Sequence, residues 1–104
     1  MQRVKWKETA LNDLVNIIDY LEQFSSTAGT RLLRKIVTAT ENLPQFPLAH
    51  RSGRIKGTRE IIVHSNYVVI YRVNNQQAEI LRILHARQKY PPSGEEGSRA
   101  NRAG

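Results

Sequence analysis

The stretch that decides the fold is Tyr67-Val68-Val69-Ile70-Tyr71-Arg72-Val73, set between Arg59-Glu60-Ile61-Ile62-Val63-His64 and Glu79-Ile80-Leu81-Arg82-Ile83-Leu84-His85-Ala86. Each run is short, rich in β-branched and aromatic residues and separated from the next by a few polar ones. Ser65-Asn66 closes the first pair, and Asn74-Asn75-Gln76-Gln77 the second. That pattern predicts three strands, and links this short place successive strands side by side and antiparallel.

Working outward, the period changes. Upstream, Leu11, Leu14, Val15, Ile18 and Leu21 recur at helical spacing, widened by Ile17 and Phe24, with Thr9 as the expected N-cap. Ser25-Ser26-Thr27 interrupts the stripe and offers a cap to a second one, formed by Leu32, Leu33, Ile36, Val37 and Leu43 and stopped by Pro44 and Pro47. Residues 2–6 alternate, Val4 and Trp6 against Arg3 and Lys5, which predicts a short first strand. Residues 48–57 form a loop or a frayed strand. The expected order is β-α-α-β-β-β: an α+β fold with a helical hairpin packed on an antiparallel sheet, whose second face is free. A single domain over residues 1–91 accounts for the periodic segments. Residues 92–104 hold no apolar side chain larger than Ala, so that tail is expected to be disordered.

The 104 residues contain no Cys, which excludes disulfides, thiolate nucleophiles and Cys-based zinc sites. No apolar run is long enough for a signal peptide core or a membrane span, so a cytoplasmic protein is expected. His50, His64 and His85 lack metal-ligand spacing, no Gly-rich phosphate loop is present, and neither metal nor cofactor is expected. The net charge of +7 is uneven. Residues 1–24 net −1, residues 25–50 net +2, residues 51–90 net +6, and the tail is neutral. Such a field attracts polyanions or an acidic protein, and a plain nucleic-acid-binding domain is one reading of it. Strand alternation puts Leu81, Ile83, His85 and Arg87 on one face and Ile80, Arg82 and Leu84 on the other. His85, Arg87, Lys89 and Tyr90 then gather at one rim, with Arg59 beginning the second predicted strand. Such a group suits a phosphate or the acids of a partner; equally, His85 and Arg87 would fasten the strand end to the loop at 45–57.

The run from Gly57 to Val73, and the run from Glu79 to Pro91, resemble the RelE/ParE superfamily of bacterial toxins. Arg59-Glu60, Tyr67-x-x-x-Tyr71-Arg72-Val73 and Ile83-Leu84-His85-Ala86-Arg87-Gln88 look most like the ParE branch. Ala10, Asp13-Leu14, Ile17, Tyr20-Leu21 and Leu43-Pro44 fit its helical part. The resemblance covers residues 2–91. It implies the toxin of a type II toxin–antitoxin operon, of the kind that stabilises plasmids, neutralised by a small antitoxin whose C-terminal segment wraps around it. That segment typically lays a helix on the helical hairpin and adds a strand at the sheet edge, while operator DNA is bound through the antitoxin.

The branches differ in target. RelE-like members cut messenger RNA on the ribosome, with basic residues on the second strand, after the first Tyr of the third, and at the exit of the last. Here Arg59 and Arg87 match in type and position, and Tyr90 is close but out of register. Val68 and Ile61 stand where two further cations are expected. Losing one well-placed donor of this kind costs about 2.7–4 kcal/mol of barrier. If the chain is a ribonuclease, its catalytic candidates are Arg59, His85, Arg87 and Tyr90. ParE-like members instead inhibit DNA gyrase and block replication. The resemblance favours that target, with Arg59, Arg82, His85, Arg87, Lys89 and Tyr90 as target-binding candidates and no catalysis expected.

Overall fold

A computed structural model describes residues 3–64, 66–75 and 77–87. The elements are β1 (Arg3–Trp6), α1 (Glu8–Glu22), α2 (Ser26–Glu41), β2 (Arg51–Ser52), β3 (Arg59–His64), β4 (Tyr67–Asn74) and β5 (Gln77–His85). The strands form one sheet in the order β1-β5-β4-β3-β2. The three C-terminal strands and the helical hairpin follow the sequence periods. The α+β class stands, with one departure from an all-antiparallel sheet: β1 lies parallel to β5, Val4 opposite Ala78 and Trp6 opposite Ile80. A chain that leaves β1, crosses the sheet through two helices and returns along β3, β4 and β5 reaches the outer side of β5 running in its own direction. The loop at 48–57 contributes a two-residue edge, Arg51 and Ser52 pairing with Glu60 and Arg59.

Caps differ from expectation. Lys7 is the N-cap of α1, and Thr9 lies inside the first turn, its hydroxyl donating to the Leu81 carbonyl at 2.9 Å. Ser25 caps α2 by position only; its hydroxyl meets that of Thr27. α2 ends at Glu41, so Leu43 enters the core from the turn before Pro44. The inward face of α1 is Ala10, Leu14, Ile17 and Leu21, turned about one residue from the expected stripe, which leaves Leu11 and Val15 exposed. On α2 the buried set is Leu32 and Ile36, with Leu33 and Val37 outside. These faces close on Ile61, Tyr67, Val69, Tyr71, Ala78, Ile80 and Ile83 of the sheet.

The alternation expected along β5 fails at one point. Ile70 pairs with Arg82 but Tyr71 pairs with Ile80, so Leu81 is an extra residue, a β-bulge. A one-residue slip exchanges the two faces. Ala78, Ile80 and Ile83 therefore all point to the helices, while Leu81 joins Leu84, Val68 and Ile70 in a second cluster on the opposite face. That face is not bare, for Val68, Ile70 and Leu84 are buried there. At the β4–β5 turn, Asn75 adopts φ +49°, the left-handed region that Asn tolerates in tight hairpins.

Candidate functional site

The exit of β5 is built by strand pairing. His85 stands opposite Tyr67, the first residue of β4, and the two rings meet edge-to-face with centroids 5.5 Å apart. The next two residues turn sharply. Ala86 N–H donates to the Asn66 carbonyl at 2.6 Å, and Arg87 N–H donates to His85 Nδ1 at 3.1 Å. This fixes the imidazole and leaves the Arg87 side chain exposed. Burial pushes the Tyr67 phenol above its ordinary pKa, and the phenol of Tyr20 on α1 adds to the shift. Tyr20 in turn meets Phe24 edge-to-face at 5.2 Å. Phe24 is 72% exposed and Tyr20 56%. Phe24–Tyr20 at the end of α1 and Tyr67–His85 at the exit of β5 are two edge-to-face ring pairs, and the exposed Arg87 follows His85 by two residues. Aromatic and Arg side chains are the usual anchors of protein interfaces. The sequence reading put Phe24 on the helical stripe and Tyr20 only among the residues of the resemblance; the signal for their pairing was two aromatics four apart around the end of α1.

Arg59 belongs to a different place. It pairs with Tyr71, four residues along β4 from Tyr67, which puts it about 13 Å from His85 along the strand. Its guanidinium donates to the carbonyls of His50 at 2.8 Å and Leu48 at 3.3 Å. The Tyr71 hydroxyl donates to the Pro47 carbonyl at 2.7 Å, and the His50 ring lies edge-on to Tyr71. Burial raises the Tyr71 pKa and the Arg59 charge opposes that rise. Arg59 and Tyr71 therefore fasten the loop at 45–57, a task the sequence offered to His85 and Arg87. Arg82 is anchored as well. Asp13 of α1 accepts from its Nε at 2.6 Å and its Nη2 at 3.1 Å, and also from the Ile83 amide at 3.0 Å.

Of the six candidates, the structure brings together His85 and Arg87 and separates them from Arg59; Arg82 is held by α1. Lys89 and Tyr90 lie outside the described residues, as do Pro91 and the tail 92–104. Ile61 is 5% exposed in the helix-facing core, and Val68 is 2% exposed in the opposite cluster. Four of the eight bases in residues 51–90 lie in ion pairs. Glu60 receives Arg51 and Arg54, Glu79 receives Arg72, and Asp13 receives Arg82. Among the described residues no three His, Asp or Glu side chains gather to hold a metal, and no helix is long and apolar enough to cross a membrane.

Comparison with known proteins agrees with this architecture. The Y4kP protein of Sinorhizobium fredii is 36% identical over 91 residues, covering 86% of this chain and 94% of its own. Toxin RelE2 of Caulobacter vibrioides is 38% identical over 88 residues, covering 83% and 97%. Among solved structures, the chromosomal ParDE toxin–antitoxin system of Pseudomonas aeruginosa contains a chain that superposes with a TM-score of 0.72 at 26% identity, covering 82% of this chain and 96% of that one. The RelBE2 toxin–antitoxin complex of Mycobacterium tuberculosis has the same fold, with a TM-score of 0.58 at 23% identity over 81% of this chain and 96% of that one. The family model for the ParE toxin of type II toxin–antitoxin systems matches residues 4–90. A matched span running from β1 past the exit of β5, with relatives similar over nearly their whole length, means that this chain belongs to the ParE toxin family of type II toxin–antitoxin systems.

Proposed function

We propose that this toxin arrests growth in the cytoplasm by binding DNA gyrase and blocking replication, and that a cognate antitoxin neutralises it. One observation carries the reading: among the described residues, Arg59 does not converge with His85 and Arg87 as RNA cleavage would need. Transesterification at a phosphate needs a base, a proton donor and cations within hydrogen-bond reach of one another's substrate atoms. Arg59 is about 13 Å from His85 along β4, with its guanidinium committed to two loop carbonyls. Ile61 and Val68 are core residues. A charge at either position would have to be buried without a partner, so these are packing positions. What remains at the β5 exit is an aromatic surface edged by Arg87, which suits contact with a macromolecule. The antitoxin partner is supported by the relatives of this fold solved as toxin–antitoxin complexes.

The test is a gyrase supercoiling and cleavage-complex assay with purified toxin, run beside primer extension on messenger RNA after induction. Inhibited supercoiling with intact transcripts supports the proposal. Unchanged supercoiling, or codon-specific cuts that disappear in Arg87→Ala, would replace it with ribosome-dependent RNA cleavage.

A further inference from the structure

The two arms of the helical hairpin carry opposite charge. α1 holds Glu8, Asp13, Asp19 and Glu22 and no base, whereas α2 holds Arg31, Arg34 and Lys35 against Glu41. Asp13 is taken by Arg82. Glu8, Asp19, Glu22 and the three α2 cations are exposed, and among the described residues none of them enters an ion pair. Two pairs of aliphatic side chains are also exposed, Leu11 with Val15 on α1 and Leu33 with Val37 on α2, each pair at i and i+4. The pairs border one another. Leu11 and Val37 line a single groove of about 530 Å³, beside Trp6 and Pro44. Toward the other end of the hairpin, Gly29 lies so close to Ile18 that an added Cβ would stand 3.0 Å from it. Residue 11 is thus level with 37 and residue 18 with 29, an antiparallel register that sets Val15 level with Leu33. The outer face of the hairpin is an apolar seam with an acidic helix on one side and a basic helix on the other.

We infer that this face is a self-association surface, on which two copies of the toxin pack hairpin to hairpin about a two-fold axis running along the helices. That axis lays α1 of each copy on α2 of the other and antiparallel to it, so acids meet bases twice over and the helix dipoles oppose. An axis across the helices would set α1 on α1 and α2 on α2, like charge on like. Leu11 and Val15 of one copy then meet Val37 and Leu33 of the other, and Arg31 stands within about 5 Å of helix rise from the level of the other copy's Asp19. A nucleic acid fits less well, because α1 is acidic and phosphates offer nothing to cover the aliphatic seam. The 15 residues of α1 extend about 22 Å, and two adjacent helices are about 20 Å across, so the face offers about 440 Å² a copy and about 900 Å² in all. That is less than the roughly 1,200–2,000 Å² of a stable complex, which makes the dimer a weak one that forms at micromolar concentration. Self-association of this kind involves the toxin alone and depends neither on gyrase nor on the antitoxin.

The experiment is sedimentation equilibrium of the full-length toxin across a range of about 1–200 µM, at low and high salt. Wild type should show a monomer–dimer equilibrium with a dissociation constant of roughly 1–100 µM, tighter at low salt. Val15→Asp and Leu33→Asp should each weaken it about tenfold or more with the helical circular dichroism unchanged. Phe46→Asp, at an exposed apolar residue outside the hairpin, should dimerise like wild type. Asp19→Lys/Glu22→Lys reverses the charge at the end of α1, and Arg31→Glu/Arg34→Glu reverses it on α2. Each of these variants should self-associate about tenfold more weakly, whereas an equimolar mixture of the two should form a mixed dimer at least as tight as wild type. Recovery on mixing requires both variants to be folded, so it separates lost charge complementarity from lost structure. A toxin that stays monomeric throughout the range overturns the inference and leaves the face to a different protein. So does a dimer indifferent to Val15→Asp and Leu33→Asp, or a mixture that fails to pair. Failure of the gyrase proposal would show separately, as wild-type toxin that leaves supercoiling unchanged.

Discussion

Asp13 and Arg82, 69 residues apart, are joined by a two-pronged ion pair of 2.6 and 3.1 Å that ties α1 to the bulge of β5. Just past the bulge, Arg82 stands opposite Ile70, and the next amide, that of Ile83, donates to the same carboxylate at 3.0 Å. Asp13 thus receives both a guanidinium and a backbone donor beside the irregular ladder. Asp13→Asn should destabilise the toxin by about 1.5–3 kcal/mol, the range for hydrogen bonds to charged groups in partly buried sites. Urea unfolding of Asp13→Asn, Arg82→Gln and the double variant checks this. The double variant should cost less than the two single losses together, because each partner is harmed most when the other is left behind.

Glu60 gives the fold an acid-sensitive joint. Burial alone would raise its pKa, but hydrogen bonds from Arg54 Nε at 2.7 Å, Arg54 N–H at 2.9 Å and Arg51 Nη2 at 3.1 Å overcome that and hold it below the ordinary 4.5. A carboxylate whose pKa falls on folding contributes stability that is complete above the unfolded value and is lost as pH falls through the folded one. The toxin should therefore weaken progressively below about pH 4.5. Glu60→Gln should flatten that limb while lowering stability at pH 7. Denaturation midpoints from pH 7 down to pH 3 provide the measurement. The exposed Arg72–Glu79 pair lowers the pKa of Glu79 in the same direction, mainly through the Arg72 hydrogen bond, and its removal should matter much less.

Tyr71 and Arg59 hold the loop before β2 by donating to the carbonyls of Pro47, Leu48 and His50. Tyr71→Phe should cost about 0.5–1.5 kcal/mol and accelerate hydrogen exchange in residues 45–53. Arg59→Ala should loosen the same segment further. If Arg59 acts only there, its loss should reduce gyrase inhibition no more than the loss of folded protein does.

The β5 exit predicts the opposite separation of effects. Arg87→Ala and Phe24→Ala alter exposed side chains, so unfolding free energy should move by no more than about 0.5 kcal/mol. If these are anchors of the target interface, each should weaken gyrase inhibition about fivefold or more, the equivalent of about 1 kcal/mol. Titration of supercoiling inhibition at matched folded concentrations decides it.

Local pattern made the elements readable. The period-2 runs at 59–64, 67–73 and 79–86 and the two helical stripes are properties of neighbouring residues, and backbone geometry imposes those periods wherever the chain folds. The resemblance to the toxin superfamily lay in the same runs, and residues 4–90 match the ParE family. Tertiary structure decided what depends on distant partners. It set β1 parallel to β5, turned α1 so that Ala10 and not Leu11 faces the core, and inserted Leu81 as a bulge that exchanged the faces of β5. It also determined which cations meet an acid. Four of the eight bases in the densest basic stretch meet Glu60, Glu79 or Asp13, whereas Arg31, Arg34 and Lys35 of α2 enter no ion pair among the described residues. Charge along a sequence is a sum over neighbours in the chain, whereas the field at a surface is a sum over neighbours in space, and only folding supplies the second list.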